Sequence, residues 1–427
     1  MKFTYDNCGI KKEEIESCSR RKIAKVVSDM QKSVLKNDYD TDFSSIKLAF
    51  DDEILQSVEN AIESYKNKID YIILVGIGGS NLGTIGVYEA VLGKLYNYKN
   101  YPKILFADTA CPDYISDIKN IVENSLLAGE NVLINYVSKS GTTIESASNF
   151  KVFMNLLKKY KKNYKDYIVV TTDKDSKLWD FAKENEFKLL EIPGIVGGRF
   201  SVLSPVGLFP LGLPGIDLKK LLLGAGEMRD MCLNENLFEN PAALSAAITY
   251  IHYKRGRNIL VNFLFASDLE GLGKWLSQLI GESLGKEKNL KDEIVNVGIT
   301  PVVSTAVDLH SMSQLYLAGP MDKFTNFVKI KKNKNNIKIP DGETKTQTLA
   351  EITDAIISGV ESAYAKRKLP FAEITLEDKT EKSIGEFLQF KMMEIMFLAG
   401  LLEINAFNQP NVEEYKVVTR KILGKIK

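Results

Sequence analysis

From about residue 69 onward, short apolar runs of strand length alternate with longer helix-like stretches. This alternation restricts the chain to a small set of α/β folds. The runs Tyr71–Val75, 104–107, Val132–Val137, 167–171 and 188–192 are separated by helix-like segments, the pattern of repeated βαβ units around a mostly parallel sheet. Residues 1–65 read as amphipathic helices with Lys/Glu-rich outer faces. A Gly/Pro-rich stretch, 193–214, contains Pro205, Pro210 and Pro214 and cannot be regular helix throughout. It is read as the passage to a second α/β set, with a strong strand at 258–265, later strands near 293–297 and 324–330, and long helices at 346–366 and 381–405. The Lys-rich stretch 329–338 alternates like an exposed hairpin at a sheet edge. The expected fold class is α/β, with two doubly wound domains of mostly parallel sheet in three αβα layers. The expected segments are 1–65 (helical), 66–195 (first domain), 196–380 (second domain) and 381–427 (a helical segment returning to the active site).

At 427 residues the chain is long enough for two cores. The balance of 56 Lys and Arg against 55 Asp and Glu leaves a net charge of +1, which argues against a dedicated nucleic-acid surface. No apolar stretch reaches membrane-spanning length, and the N-terminus has no apolar signal core, so a cytoplasmic protein with no membrane partner is expected. The cysteines Cys8, Cys18, Cys111 and Cys232 are widely spaced and suggest neither a zinc site nor a disulfide framework.

Two of the strand-like runs end in small-residue turns. Gly76-Ile77-Gly78-Gly79-Ser80-Asn81-Leu82-Gly83 follows the first, and Ser138-Lys139-Ser140-Gly141-Thr142-Thr143 follows the third. A strand, a tight hydroxyl-bearing turn and a helix start together make an anion site, because glycine admits close backbone approach and the helix N-terminus favours negative charge. Neither turn has dinucleotide or P-loop spacing. Four hydroxyls and one Lys in six residues suit a compact dianion, so the pair points to a phosphorylated small molecule.

Further along, Gln278 and Glu282 would share a helix face. They lie beside Gly281 and Gly285, each of which costs about 1 kcal/mol against Ala in a helix, a cost tolerated where a ligand approaches. Glu282 is thus a candidate general base. Of the two histidines, His252 reads as structural at a helix C-terminus. His310 is suited to proton transfer, with Asp308 or a backbone carbonyl to orient it. The turn Asn408-Gln409-Pro410-Asn411 precedes Lys416 by about two helical turns.

Taken together, these motifs resemble the phosphoglucose (glucose-6-phosphate) isomerase family, in its shorter bacterial form. Gly-Ile-Gly-Gly-Ser, Ser-Lys-Ser-Gly-Thr-Thr, Gly-Gly-Arg-Phe-Ser, Gln-x-x-x-Glu-Ser-x-Gly-Lys and Asn-Gln-x-x-Val-Glu-x-x-Lys occur in the family's order, with a His-Ser-x-x-Gln between the last two. The resemblance implies two sugar-isomerase (SIS) domains, a homodimer, and no metal or organic cofactor. It implies that Ser80, Ser138, Lys139, Ser140 and Thr143 hold a phosphate, and that Glu282 moves the proton between C1 and C2. Arg199 would lie near the enediolate, His310 and Lys416 would serve ring opening, and Gly79, Gln278 and Gln409 would position the substrate. The histidine would come from the partner subunit. Asn411 stands where the family usually has Gly, and Leu284 where a small or polar residue is common. Acceptance of mannose 6-phosphate, and a non-catalytic SIS-type sensor, remain as alternatives.

Overall fold

The computed structural model describes residues 1–36, 38–340 and 348–424. The first sheet has the order β3-β2-β4-β5-β6, all parallel, with β2 Tyr71–Val75, β3 Lys103–Ala107, β4 Val132–Val137, β5 Ile168–Thr172 and β6 Lys188–Glu191. In register, Ile73 lies beside Leu105 on one side and Ile134 on the other. The central strands β2, β4 and β5 are buried along their whole length. That burial explains why they read as continuous apolar runs and not as alternating ones.

The second sheet has the order β1-β12-β11-β7-β10, with β1 Lys2–Thr4, β7 Ile259–Leu264, β10 Thr300–Thr305, β11 Lys323–Ile330 and β12 Phe371–Leu376. All its pairings are parallel except β1 with β12. Three expectations are corrected here. The stretch 329–338 is not an edge hairpin. Its first two residues end β11, an internal strand between β7 and β12, and Lys329 sits between Glu361 (2.6 Å) and Glu373 (2.5 Å). The strand near 293–297 is β9 Ile294–Val297, which leaves the main sheet to pair with β8 Lys286–Lys288 in a separate two-stranded ribbon. The N-terminal segment, beyond its helices Lys12–Val34 and Asp52–Tyr65, supplies β1 to the far sheet.

The helix expected over 346–366 runs Leu349–Lys366, with Thr348 and Glu351 forming a capping box; residues 346 and 347 lie outside the described residues. The helix expected over 381–405 runs Glu381–Leu402 and is buried on nearly all sides. It packs on helices Leu218–Cys232 and Pro241–Lys254. In its interior Lys391 Nζ donates to Glu394 Oε2 at 2.8 Å, and Ser245 donates to the same carboxylate. Among the described residues no helix is long and apolar enough to cross a membrane.

The passage 193–214 holds the short helix Pro205–Gly212, whose Val206 clusters with Leu74 and Val137 of the first sheet and Ile192 just beyond β6. The two halves are locked by helix Leu82–Leu92 crossing helix Glu270–Leu284. A Cβ at Gly86 would lie 3.0 Å from the Leu272 nitrogen, so the helices touch at backbone distance. This crossing brings the first loop of one half to the helix bearing Glu282 in the other.

Candidate active site

Strands β2 and β4 are neighbours, yet the chain leaves β2 toward β3 at one edge and β4 toward β5 on the opposite side. The gap between their C-terminal ends is a topological switch point, where parallel α/β sheets bind ligands. Both small-residue turns open into it. The first forms a 3-10 turn Gly78–Ser80 before helix Leu82–Leu92. Gly78 has φ +58°, a left-handed conformation that glycine adopts freely. In the second turn the Gly141 N–H donates to Ser138 Oγ (3.1 Å), and the Ser140 and Thr142 hydroxyls lie 2.8 Å apart. Thr143 is the N-cap of helix Ile144–Tyr160, and its side chain makes no cap hydrogen bond. The hydroxyl is therefore not tied up in the helix start. Lys139 is half-buried; burial holds its ammonium below the usual lysine value, and the Asp173 carboxylate opposes this. An arriving anion would favour the charged form.

The first turn abuts the turn carrying Arg199. A Cβ on Gly79 would lie 2.2 Å from the Gly198 carbonyl carbon, so only glycine fits. Arg199, in the 3-10 turn Gly198–Phe200, is 2% exposed. Its Nε donates to Ser283 Oγ (2.8 Å), its Nη1 to Glu282 Oε2 (3.2 Å) and Gln409 Oε1 (2.8 Å), and its Nη2 to the carbonyls of Ala406 and Asn408. Burial lowers the Arg199 pKa and the Glu282 carboxylate raises it, yet a guanidinium remains charged at any working pH. Glu282 and Gln278 lie one turn apart on helix Glu270–Leu284. Gln278 Nε2 stands 3.0 Å from where a Gly78 side chain would begin, and its Oε1 is buried with no hydrogen-bond partner among the described residues. One fixed cation, one carboxylate and the Gln278 amide therefore converge beside the first small-residue turn, whose strand pairs with the one that leads into the second.

Two predicted residues stand apart from this cluster. His310 ends the 3-10 turn Ala306–His310 and is exposed. Asp308 is committed to the Thr305 N–H (2.8 Å) and the Ser311 hydroxyl (3.0 Å). Lys416, on helix Glu413–Ile422, pairs with Glu413 at 2.6 Å. Among the described residues neither bonds to Arg199, Glu282 or Gln409. Asn411 falls in a right-handed 3-10 turn, Pro410–Val412, so the left-handed conformation that glycine would favour is not needed. Its amide donates to Glu287 (3.2 Å). His252 is buried, as a structural histidine should be, with Nε2 at 2.9 Å from the Cys8 carbonyl and its ring stacked on Phe324.

Sequence reasoning gave no role to Ser283 or Lys286, although both lie inside a quoted motif. Lys286 Nζ donates to the carbonyls of Glu282 (2.6 Å) and Asn408 (2.5 Å). A basic residue just beyond a helix C-terminus, where carbonyls lack partners, was the available signal.

Two mostly parallel sheets, with hydroxyl-rich turns at a switch point, define an SIS-type α/β protein. Residues 51–427 match the family described as Phosphoglucose isomerase. Glucose-6-phosphate isomerase from Carboxydothermus hydrogenoformans is 36% identical, over 88% of this chain and 83% of its own length. The enzyme of that name from Methanocaldococcus jannaschii is 35% identical, over 85% and 87%. Among solved structures, a hypothetical protein from Thermus thermophilus aligns with TM-score 0.88 at 29% identity, covering 99% of both chains. A glucose-6-phosphate isomerase from Chlamydia trachomatis aligns with TM-score 0.86 at 20% identity, covering 99% of this chain and 88% of that one, a likeness of fold. The chain belongs to the phosphoglucose isomerase family.

Proposed function

We propose that this protein reversibly interconverts glucose 6-phosphate and fructose 6-phosphate, a step of glycolysis and gluconeogenesis. The observation that carries this reading is the Arg199–Glu282–Gln409 cluster set beside the first of the two small-residue turns. The phosphate would rest on Ser80, Ser138, Lys139, Ser140 and Thr143, and its binding energy, remote from C1 and C2, would fix the reacting carbons. Glu282 would remove the proton from one carbon and return it to the next on the same face, through a cis-enediolate. Arg199 would stabilise the negative charge developing on oxygen. Gln278 Oε1 has acceptor capacity for a substrate hydroxyl.

His310 and Lys416 would open the sugar ring. The exposure of His310 suits its donation to a second copy of the chain, so the reading includes a homodimer. Val307, Leu315 and Met321, exposed apolar side chains in the same part of the sequence, are the kind of surface a partner covers. Four free thiols fit a reducing compartment and hence the cytoplasm.

The test is conversion of fructose 6-phosphate to glucose 6-phosphate by the purified protein, coupled to a dehydrogenase, with mannose 6-phosphate assayed alongside. Turnover should be rapid with fructose 6-phosphate. Glu282→Gln should lower kcat at least about 1,000-fold while leaving sugar-phosphate binding largely intact. Near-normal turnover in that variant would remove Glu282 from the base role. Sugar-phosphate binding without turnover in the native protein would favour a sensor. Turnover of both substrates would widen the assignment to a dual isomerase.

A further inference from the structure

Two cations hold the loop that carries Gln409, and the mechanism above uses only Arg199. The other is Lys286, first residue of β8, two residues beyond the end of the Glu282 helix. It is 8% exposed. Its two acceptors are both main-chain oxygens, that of Glu282 and that of Asn408. The Asn408 carbonyl also accepts from Arg199 Nη2 at 3.3 Å, so both cations meet on one atom of the loop. Among the described residues Lys286 forms no ion pair. A buried ammonium satisfied only by carbonyls is costly, and an apolar side chain would fill the same space at lower cost. The charge is therefore better explained by what it holds than by stability.

We propose that Lys286 is a positioning residue for the isomerisation, clamping the main chain of Glu282 to that of Asn408 and so setting the base against Gln409. This rests on the glucose 6-phosphate reading above. Lys286 touches no reacting atom; it acts through Glu282 and Gln409. The charged groups facing Nζ are Glu282 from the helix and Arg199 from the Gly198–Phe200 turn. The 405–409 loop brings no titratable side chain, and Glu287 and Lys288 on its own strand are exposed. Burial pulls the ammonium down to about 8, the Arg199 charge adds to the fall, and Glu282 opposes it. An uncharged amine is a weaker donor than an ammonium. The clamp therefore loosens as pH rises through about 8, whereas the phosphate turns lie on other elements.

The experiment measures kcat and KM for fructose 6-phosphate from about pH 6 to 10 in the native protein, Lys286→Met and Lys286→Arg. Lys286→Met should lower kcat about 10- to 100-fold, change KM less than about threefold and lack the alkaline fall of kcat. Lys286→Arg should recover most of kcat and move that fall upward by more than about one pH unit, since a guanidinium keeps its proton. Should Lys286→Met fail to fold, the pH profile of Lys286→Arg decides alone. An unmoved alkaline fall in Lys286→Arg, native-like kcat in a folded Lys286→Met, or no alkaline fall in the native protein overturns the clamp while the isomerase reading stands. A native protein without turnover overturns both.

Discussion

Single residues divide here into those whose surroundings serve chemistry and those whose surroundings serve only the fold. The two histidines show the contrast. His310 is exposed, whereas burial and the nearby charges of Arg257 and Arg255 push buried His252 down from 6.5 to about 4. Between those values the unfolded chain binds a proton that the folded protein refuses. The stabilising contribution is complete above about pH 6.5 and is lost as pH falls toward 4. At about 1.4 kcal/mol per pH unit, this amounts to about 3 kcal/mol. Denaturant unfolding of His252→Asn followed from pH 7 to 4 should show a shallower acid loss than the native protein; parallel slopes would contradict this. Glu282, Arg199 and both small-residue turns were legible in the sequence because short contiguous motifs carry them. Lys286 was not, because its partners are backbone carbonyls, and one of them lies 122 positions away.

Elements matter through how closely they approach one another. The turn at Gly79 and the turn at Gly198 come from different parts of the chain, and their contact leaves no room for a methyl group. Gly79→Ala should force them apart, moving Ser80 and Arg199 together. The expected result is a folded protein with kcat/KM for fructose 6-phosphate reduced about 100-fold, measured by the coupled assay alongside circular dichroism. A near-native value would mean that the turns adjust independently. The central strands of the first sheet were readable because burial on both faces makes them nearly continuous apolar runs. In the second sheet β7 and β11 were read as strands, but β1, β10 and β12 were not. β12 alternates as Phe-Ala-Glu-Ile-Thr-Leu, and β10 carries Pro301, which is tolerated because β10 is an edge strand that pairs only with β7. The Lys-rich end of β11 misled for a related reason. Lys329 looks like a solvated edge residue until the carboxylates of Glu361 and Glu373, from two other elements, are placed on either side of it.

For the whole molecule, the proposed completion of the site by a partner subunit would have an arithmetic consequence. His310→Ala and Glu282→Gln chains, each inactive alone, should recover about a quarter of native activity when unfolded together in equal amounts and refolded. Half of the random pairs are mixed, and each mixed pair has one intact site of two. No recovery, with dimers present, would place His310 and Glu282 in the same chain's site. The strand order also bears on how the molecule is made. β1 joins residues 2–4 to residues 373–375, whereas the five strands of the first sheet follow one another between residues 71 and 191. On a ribosome adding about 5–20 residues per second, the first sheet can close while the second still lacks every later strand. The opening strand then waits about 20–70 seconds for its neighbour to be synthesised. During that interval it is an unpaired edge of the kind that nascent-chain chaperones shield.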